Sequence, residues 1–292
     1  MRPFLSVVTS ALCLGLVLTS AQVIAKAPVW KVSKGGHHLY LGGTIHVLSQ
    51  ADYPLPSAFK EAFSDSAKII FETDMAAMTS PEAQAKMRAV ILFQDQRKLH
   101  DVLSKSVYKQ LEDFLAVRQI PVANFSKFTP AGISLTLTLL ELQRLGLTST
   151  AGVDAYYSMR AKDEGKSIGM LESVDEQIAF IASMNDGDAN EIVASSLRDL
   201  EDFGSIWKNI LSAWRSGNTK ALSELTIAPM RDEFPEFYQT FLVKRNNAWI
   251  EKIKPMLNDR DIEFLLVGYA HMVGEDGLLT QLKDAGYKID QM

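Results

Sequence analysis

The sequence contains little cysteine and has no excess of positive charge. Cys13 is the single cysteine among 292 residues, which excludes an internal disulfide framework and a Cys-x-x-Cys metal site. The 30 lysines and arginines are outnumbered by 35 acidic residues, so the formal net charge is −5 and bulk charge does not attract nucleic acid. Hydrophobic residues make up 47%, which is enough for a packed core and excludes a disordered or collagen-like chain.

Several common catalytic motifs are also missing. The chain has no HExxH helix, no Gly-x-Ser-x-Gly elbow, no phosphate-binding P-loop and no GxGxxG dinucleotide fingerprint. These absences argue against a zincin protease, a serine hydrolase of the elbow type, a P-loop enzyme and a dinucleotide-dependent enzyme. A nucleic-acid-binding module is lacking as well, so we expect no nucleic-acid partner.

A long apolar run occurs only in the first segment. Met1 and Arg2 form a short positive start, residues 7–18 are apolar, and Ala25 follows at a position that suits a signal peptidase. Residues 1–25 are therefore predicted to be a signal peptide cleaved near Ala25, with a retained N-terminal anchor as the alternative. The run is shorter than the roughly 20 residues that a membrane-spanning helix needs. We expect a periplasmic or secreted protein with no stable membrane span after cleavage.

Residues 26–292 alternate short apolar runs with amphipathic stretches. This alternation predicts a single α/β domain in which helices flank a mixed central β-sheet, with a helical insertion at about residues 80–240. A capping box that starts at Ser173 and ends at Glu176 predicts a helix directly after the fourth strand. The predicted strands are 29–32, 38–41, 67–72, 166–171, 261–267 and 287–289, and the predicted helices include 57–66, 133–145, 188–216, 233–257 and 278–284.

Two apolar strands end in the same pattern, Gly-x-x-His. The first pattern joins Gly43 to His46, and the second joins Gly268 to His271. Glycine permits a sharp turn at the end of a strand, and the histidine is then presented at the carboxyl edge of the sheet. Open α/β sheets bind their ligands at that edge. The pattern thus predicts a functional site shared by the two histidines, although an ordinary hydrogen-bonded histidine remains the alternative at each position.

Two further strands run into acidic residues, Glu72 and Glu172. If the strands are parallel neighbours, both acids face one cleft together with His46 and His271. Two imidazoles and a carboxylate are a ligand set for a catalytic divalent metal, here His46, Glu72 and His271. Nitrogen and oxygen ligands suit zinc, manganese, cobalt or iron, and the identity stays open.

The remaining candidate roles concern Glu172, Arg245 and Asp154. A second carboxylate, Glu172, would act as general base, and Arg245 would stabilise an oxyanion. Spacing alone favours a surface ion pair for both Arg245 and Asp154, and Glu172 equally suits the dipole of the helix that follows it. The tryptophans at 207, 214 and 249 are expected in the core or between helices, and the histidines at 37, 38 and 100 at the surface.

With these motifs in place, the chain resembles the TraB/GumN family, which is related to the Tiki metalloproteases. The resemblance extends from Trp30 to Ile289. It rests on Leu-Gly-Gly-Thr-Ile-His at 41–46, Phe-Glu-Thr-Asp at 71–74, Gly-Val-Asp at 152–154, Gly-Lys-Ser-Ile-Gly-Met-Leu-Glu at 165–172, Arg-Asn-Asn-Ala-Trp at 245–249 and Val-Gly-Tyr-Ala-His-Met-Val-Gly-Glu-Asp-Gly-Leu at 267–278.

The resemblance implies a mixed α/β fold with the site around the paired Gly-x-x-His motifs. It casts His46 and His271 as metal ligands and Glu72 as an acidic ligand or base, and it matches Arg245 to a recurrent family arginine. Where the family more often has a smaller residue, this chain has Tyr269, whose ring would narrow the cleft.

Our leading hypothesis is an exported metal-dependent hydrolase that acts on a peptide or protein, with a water molecule activated at the metal. The alternatives are a non-catalytic periplasmic protein that binds a metal, haem or small ligand, and an envelope or exopolysaccharide assembly factor. The sequence leaves the substrate and the oligomeric state open.

Overall fold

The computed structural model describes residues 26–258 and 260–292. The predicted signal peptide, residues 1–25, lies outside the described residues. Within the described part of the chain, no helix combines the length and the apolar character that a membrane crossing requires.

The described residues form a mixed α/β fold around one six-stranded sheet, which confirms the predicted fold class. The strands lie in the order β4-β3-β5-β2-β1-β6. β2, β5, β3 and β4 pair with one another in parallel, whereas β1 is antiparallel to both β2 and β6. The strands are β1 (Val29–Lys34), β2 (His37–Thr44), β3 (Lys68–Phe71), β4 (Ser167–Met170), β5 (Glu263–Gly268) and β6 (Lys288–Gln291).

The centre of the sheet is fully enclosed. Phe264, Leu265, Leu266 and Val267 of β5 have no exposed surface, although they point alternately to opposite faces. A parallel strand that is covered on both faces has an unbroken apolar sequence, which is what made this strand predictable. The helices α1, α6, α9 and α13, whose bounds follow, contribute buried apolar residues to the same core.

The helices fall into two groups because β4 divides the predicted insertion. After α1 (Ser57–Asp65), the first group connects β3 to β4 and comprises α2 (Pro81–Ile91), α3 (Leu99–Val102), α4 (Lys105–Val117), α5 (Pro130–Arg144) and α6 (Val153–Asp163). The second group connects β4 to β5 and comprises α7 (Val174–Ala182), α8 (Ala189–Glu201), α9 (Phe203–Arg215), α10 (Thr219–Leu222), α11 (Ala228–Glu233), α12 (Pro235–Tyr238) and α13 (Lys244–Met256). α14 (Leu278–Asp284) precedes β6.

Two local predictions about these helices have definite outcomes. The capping box is confirmed: the Glu176 N–H donates to the Ser173 hydroxyl over 3.2 Å, and the Ser173 N–H donates to the Glu176 carboxylate over 2.8 Å. The predicted helical stretch at 233–257 is also confirmed, because α12, a π-helix at Gln239–Val243 and α13 follow one another directly from Pro235 to Met256.

A second, smaller core lies among the helices of the insertion. Leu111 of α4, Ile133 of α5 and Val193 of α8 are fully buried in it. The chain therefore buries apolar residues in two places, and the sheet core is the one that supports the strand ends described next.

Candidate functional site

The carboxyl ends of four neighbouring parallel strands carry the predicted site residues. Glu72 directly follows β3, and Glu172 lies two residues after β4. His46 lies two residues after β2, and His271 ends a short 3-10 turn that follows β5. The Glu172 N–H donates to the Glu72 carbonyl oxygen over 2.8 Å, which ties two of these strand ends together. The topology thus brings all four residues to one edge of the sheet.

His46 stands at the open side of this edge, with 58% of its side chain exposed. Its Nδ1 lies 2.8 Å from Asp154 Oδ2, and the Thr44 hydroxyl donates to Asp154 Oδ1 over 2.9 Å. Because a carboxylate only accepts hydrogen bonds, Nδ1 carries a proton and Nε2 is the nitrogen that titrates. The negative charge of Asp154, supported by that of Glu72, raises the pKa of His46 to about 9. The surroundings of His46 therefore favour the positively charged form of its ring.

Asp154 reaches His46 because Gly152 permits a close backbone contact. A Cβ at Gly152 would lie 2.1 Å from the His46 carbonyl oxygen, so only glycine fits there. The Val153 N–H also donates to the Ile45 carbonyl oxygen over 3.0 Å. Asp154 is only 4% exposed, so the expectation that it forms a surface ion pair is wrong. Its partner lies far away in the sequence, and spacing did not reveal it.

Glu72 is the carboxylate at the centre of the site. Its Oε1 accepts a 2.6 Å hydrogen bond from the Gly268 N–H, and its Oε2 accepts a 2.7 Å bond from Arg245 Nη2. Burial opposes ionisation of Glu72, but the positive charges of His46 and Arg245 and the hydrogen bond from the Gly268 N–H outweigh it and lower the pKa. Glu72 is therefore ionised at neutral pH.

A gap beside Gly268 separates the side chains of His46 and Glu72 at the open side of the site. His46 Nε2 lies 3.7 Å from Glu72 Oε1. A Cβ at Gly268 would lie 3.1 Å from the first atom and 3.2 Å from the second, so a side chain at this position would crowd both. Gly268 therefore keeps this space clear next to His46, whose side chain is the only strongly exposed one among the four strand-end residues.

Arg245 organises the buried side of the site. Its side chain is 1% exposed, so the surface position expected from spacing is wrong. Nε and Nη2 bind Glu172 over 3.0 and 2.7 Å, and Nη2 also binds Glu72. Nη1 donates to the Phe241 carbonyl oxygen over 3.3 Å and to His271 Nε2 over 3.0 Å. All five guanidinium N–H groups are therefore used within the protein.

Glu172 is held mainly by this arginine. Both of its oxygens bond to Arg245, and its side chain is 4% exposed. Burial raises the pKa of Glu172, while the hydrogen bonds and charge of Arg245 oppose that rise. In this arrangement both oxygens are occupied by Arg245.

His271 is buried behind Arg245, with 3% of its surface exposed. Its Nδ1 lies 2.7 Å from Asn246 Oδ1. The orientation of the Asn246 amide is fixed because Nδ2 donates to the carbonyl oxygens of Asp276 and His271 over 2.8 and 3.3 Å. Nδ1 therefore carries the proton, and Nε2 accepts from Arg245. Burial, together with the positive charge of Arg245, lowers the pKa of His271 to about 3, so the ring is neutral.

The predicted metal ligands fit a divalent ion only in part. Two atoms bound to one ion at about 2.1 Å lie at most about 4.2 Å apart, so His46 Nε2 and Glu72 Oε1 suit a shared ion without movement. His271 offers no free nitrogen, because both are bonded within the protein. In line with this, the described residues contain no group of three or more His, Cys, Asp or Glu side chains arranged around a metal position.

The residues that sequence reasoning missed all act through a partner distant in sequence. Thr44 and Asn246 were not predicted to take part, and Asp154 was predicted only as a surface residue. The motifs at 41–46, 152–154 and 245–249 contain all three residues, but the motifs do not say which atoms meet. Trp214 and Trp249 are buried as expected, and Trp207 packs partly buried against the core. His37 and His100 are exposed, and His38 is partly buried near Asp65.

The family model of the TraB/PrgY/gumN family matches residues 28–291, nearly all of the described chain. The chain belongs to the TraB/PrgY/gumN family. This assignment confirms the resemblance derived from the motifs, and the matched residues include every member of the site.

Three proteins similar to this chain share less than a quarter of their aligned residues with it. The chain is 23% identical over 249 residues to Uncharacterized protein YbaP of Escherichia coli, covering 85% of this chain and 89% of that protein. It matches Uncharacterized protein YbaP of Shigella flexneri to the same extent. It is 21% identical over 305 residues to Metalloprotease TIKI2 of Danio rerio, covering 86% of this chain and 58% of that protein. No solved structure matches the chain at a significant level.

Proposed function

We propose that this chain is a hydrolase that acts on a peptide bond at the open side of the site, next to His46 and Glu72, with the participation of a divalent metal ion. The observation that carries the proposal is the pair formed by His46 Nε2 and Glu72 Oε1, 3.7 Å apart beside the space that Gly268 leaves clear. Membership of the family and the distant similarity to a protein named a metalloprotease support the same chemistry.

The protein contacts around this pair explain why it would bind a cation. Asp154 keeps one proton of His46 on Nδ1, so a cation at the open side would displace the proton of Nε2 and bind the lone pair released there. Such a carboxylate–histidine contact fixes the orientation of a ligand and increases its basicity. Gly268 and Arg245 together fix the carboxylate of Glu72 and keep it ionised.

A divalent ion bound by these two residues would polarise the substrate carbonyl and provide an activated water molecule at neutral pH. Zinc, manganese, cobalt and iron all accept one imidazole and one carboxylate. The protein itself supplies the orientation of both ligands and a buried wall formed by Arg245 and its partners.

The predicted roles of Glu172 and Arg245 stay predictions within this proposal. Glu172 as general base and Arg245 as oxyanion donor both require Arg245 to release a bond that it makes here. Glu172→Gln separates the two possibilities, because a base is lost in this variant while the contact with Arg245 is largely kept. Cleavage that falls while metal affinity stays constant would support Glu172 as the base.

The experiment that tests the function uses residues 26–292, a pool of capped unstructured peptides and oxidised insulin B chain. Cleavage is followed by mass spectrometry with chelator, after removal of the chelator, and after addition of each of the four metals. We expect cleavage that chelation abolishes and one of the metals restores. The absence of cleavage with every metal would overturn the proposal.

Matched variants make this experiment specific to the site. Glu72→Gln and His46→Gln are expected to lose cleavage. Glu141→Gln changes another buried glutamate that two arginines hold, and His38→Gln changes another histidine next to an aspartate, 3.4 Å away. Both controls lie outside the site and are expected to keep the wild-type rate.

One observation favours a second function, that of a binding protein without catalysis. Arg245 and Glu172 use their polar atoms on each other, which leaves the open side with few groups able to move a proton. The same assay distinguishes this function, because it predicts metal binding at His46 and Glu72 without cleavage of any peptide.

We further propose, from the predicted signal peptide, that the protein works outside the cytoplasm. Cleavage after Ala25 would leave β1 complete, since β1 starts at Val29.

A further inference from the structure

His271 and Arg245 form the innermost contact of the site, and this contact conflicts with a metal at His271. Arg245 Nη1 donates to His271 Nε2 over 3.0 Å, and the other nitrogen of the ring is bonded to Asn246. A nitrogen that accepts a hydrogen bond through its lone pair cannot use the same lone pair to bind a metal ion. His271 would have to lose Arg245 before it became a ligand.

The guanidinium of Arg245 is strongly held in place. Its partners include both buried carboxylates, Glu72 and Glu172. Three aromatic rings also surround it: the ring of Trp249 lies 4.8 Å from its central carbon, and those of Phe180 and Phe241 each lie 5.2 Å away. Withdrawal of the guanidinium would leave the buried Glu172 without a counter-charge and Glu72 with His46 alone, which is strongly destabilising.

A chain of contacts leads from Asn246 to Glu72. The amide of Asn246 fixes the tautomer of His271, and Nε2 of His271 fixes one edge of the Arg245 guanidinium. The opposite edge of the guanidinium fixes Glu72 Oε2, which leaves Oε1 directed to Gly268 and His46. Each link restricts the orientation of the next.

We infer that His271 is a positioning residue and not a metal ligand. It holds Arg245, Arg245 holds Glu72, and a divalent ion has His46 Nε2 and Glu72 Oε1 as its protein ligands. Catalysis in this inference rests on the proposed function, but the ligand assignment does not, because metal binding is measured without a substrate.

The direct test is NMR of residues 26–292 with 15N-labelled histidine, recorded without metal and during titration with Zn²⁺. We expect His271 to be the neutral Nδ1–H tautomer and to keep its Nε2 shift throughout the titration, while the Nε2 signal of His46 moves. Movement of His271 Nε2 to a metal-bound shift would overturn the inference, and so would a titration in which neither histidine responds.

Variants give an independent readout in Zn²⁺ affinity, measured by calorimetry. His271→Gln keeps an acceptor for Arg245, so we expect its affinity to remain within about threefold of wild type, whereas His46→Gln should lose about 100-fold or more. A loss in His271→Gln as large as in His46→Gln, with an unchanged circular dichroism spectrum, would show that His271 is a ligand.

Peptide cleavage by the same variants separates a failure of this inference from a failure of the proposed function. If Zn²⁺ binds as expected and no peptide is cleaved, the hydrolase proposal fails and the ligand assignment stands. If His271→Gln does not fold, the wild-type NMR titration still decides the question.

Discussion

The behaviour of single residues in this protein depends on which groups share their surroundings. His46 and His271 follow glycines in the same Gly-x-x-His pattern, yet the pKa of the first is raised to about 9 and that of the second is lowered to about 3. At the exposed His46, the negative charge of Asp154 raises the pKa. At His271, burial and the positive charge of Arg245 lower the pKa. Histidines at the same position of the same motif therefore differ in their preferred protonation state.

At this scale, the contact between Asp154 and His46 can be tested by Asp154→Asn. The amide keeps the size of the side chain but removes the charge, so His46 Nδ1 is no longer held by a carboxylate. We expect metal affinity to fall by about 10-fold to 100-fold, in line with the loss of other carboxylate partners of metal-binding histidines. Calorimetric titration with Zn²⁺ measures the effect.

Thr44→Val is the control for that variant. It removes the hydroxyl that donates to Asp154 and leaves the bond between Asp154 and His46 in place. A smaller loss of affinity than in Asp154→Asn is expected, and equal losses would contradict a specific role for the carboxylate.

A second prediction at the residue scale concerns the space beside Gly268. In Gly268→Ala the new methyl group meets only side-chain ends, His46 Nε2 at 3.1 Å and Glu72 Oε1 at 3.2 Å. We expect cleavage and Zn²⁺ affinity to fall at least about 10-fold while the thermal unfolding midpoint changes by less than about 4 °C. Gly204→Ala is the control, since the nearest atom to its new methyl group lies 3.6 Å away. Unchanged metal affinity in Gly268→Ala would place the metal elsewhere.

At the scale of elements, the site depends on helices that bring their residues to strand ends. α6 brings Asp154 to the turn after β2, and α13 brings Arg245 to the ends of β3 and β4. The π-helix at Gln239–Val243 directly precedes α13, and the Phe241 carbonyl oxygen within it accepts from Arg245 Nη1. Single-turn π-helical segments are frequently found at functional sites.

The junction of α9 and β2 can be tested with Trp214→Phe. The indole N–H of the fully buried Trp214 donates to the Gly43 carbonyl oxygen over 2.7 Å, just before the turn that carries His46. Loss of the donor leaves this carbonyl without that partner, so we expect the free energy of unfolding to fall by about 2 kcal/mol. Urea unfolding followed by circular dichroism measures the change. A variant as stable as wild type would show that water replaces the donor at no cost.

The helical insertion has a pH-dependent contact of its own at Glu141 in α5. Burial would raise the pKa of Glu141, but the hydrogen bonds from Arg118 and Arg144 outweigh burial and hold the pKa below its usual 4.5. Because the folded-state pKa is the lower one, this contact stabilises the protein above about pH 4.5 and its contribution is lost as the pH falls further.

Glu141→Gln should therefore lower the free energy of unfolding by about 2 kcal/mol near neutral pH. The difference from wild type should shrink as the pH falls below the ordinary glutamate pKa, because wild type then loses the charge as well. Urea unfolding across that range provides the measurement. A difference that stays constant with pH would mean that packing, and not charge, is the contribution of Glu141.

At the scale of the whole molecule, the two ends of the described chain are tied into one sheet. β6 pairs with β1, and the Ala27 N–H donates to the Met292 carbonyl oxygen over 2.7 Å. The fold is thus closed by residues that lie only just beyond the predicted cleavage site.

A prediction about the proposed export also belongs to this scale. We expect protein from the periplasmic fraction of a bacterial host to begin at Lys26, and residues 26–292 to give the same unfolding curve when produced directly. N-terminal sequencing and thermal unfolding measure the two properties. Recovery of Met1 in the exported fraction would contradict the predicted signal peptide.

The sequence by itself determined the local features of this protein. The strands were predictable because unbroken or alternating apolar runs are visible within a few residues, as in Phe264 to Val267. The glycines and acids at the strand ends were predictable for the same reason, and parallel pairing then gathers them at one edge.

Only the tertiary structure decided which atoms meet there. Asp154 reaches His46 across 108 positions, and Arg245 reaches Glu72 across 173. Such partners depend on how helices pack on the sheet, and a packed helix can bury a charged residue whose spacing alone suggests the surface. The state of His271 is the clearest case, because its motif indicates a metal ligand while Arg245 and Asn246 occupy both of its nitrogens.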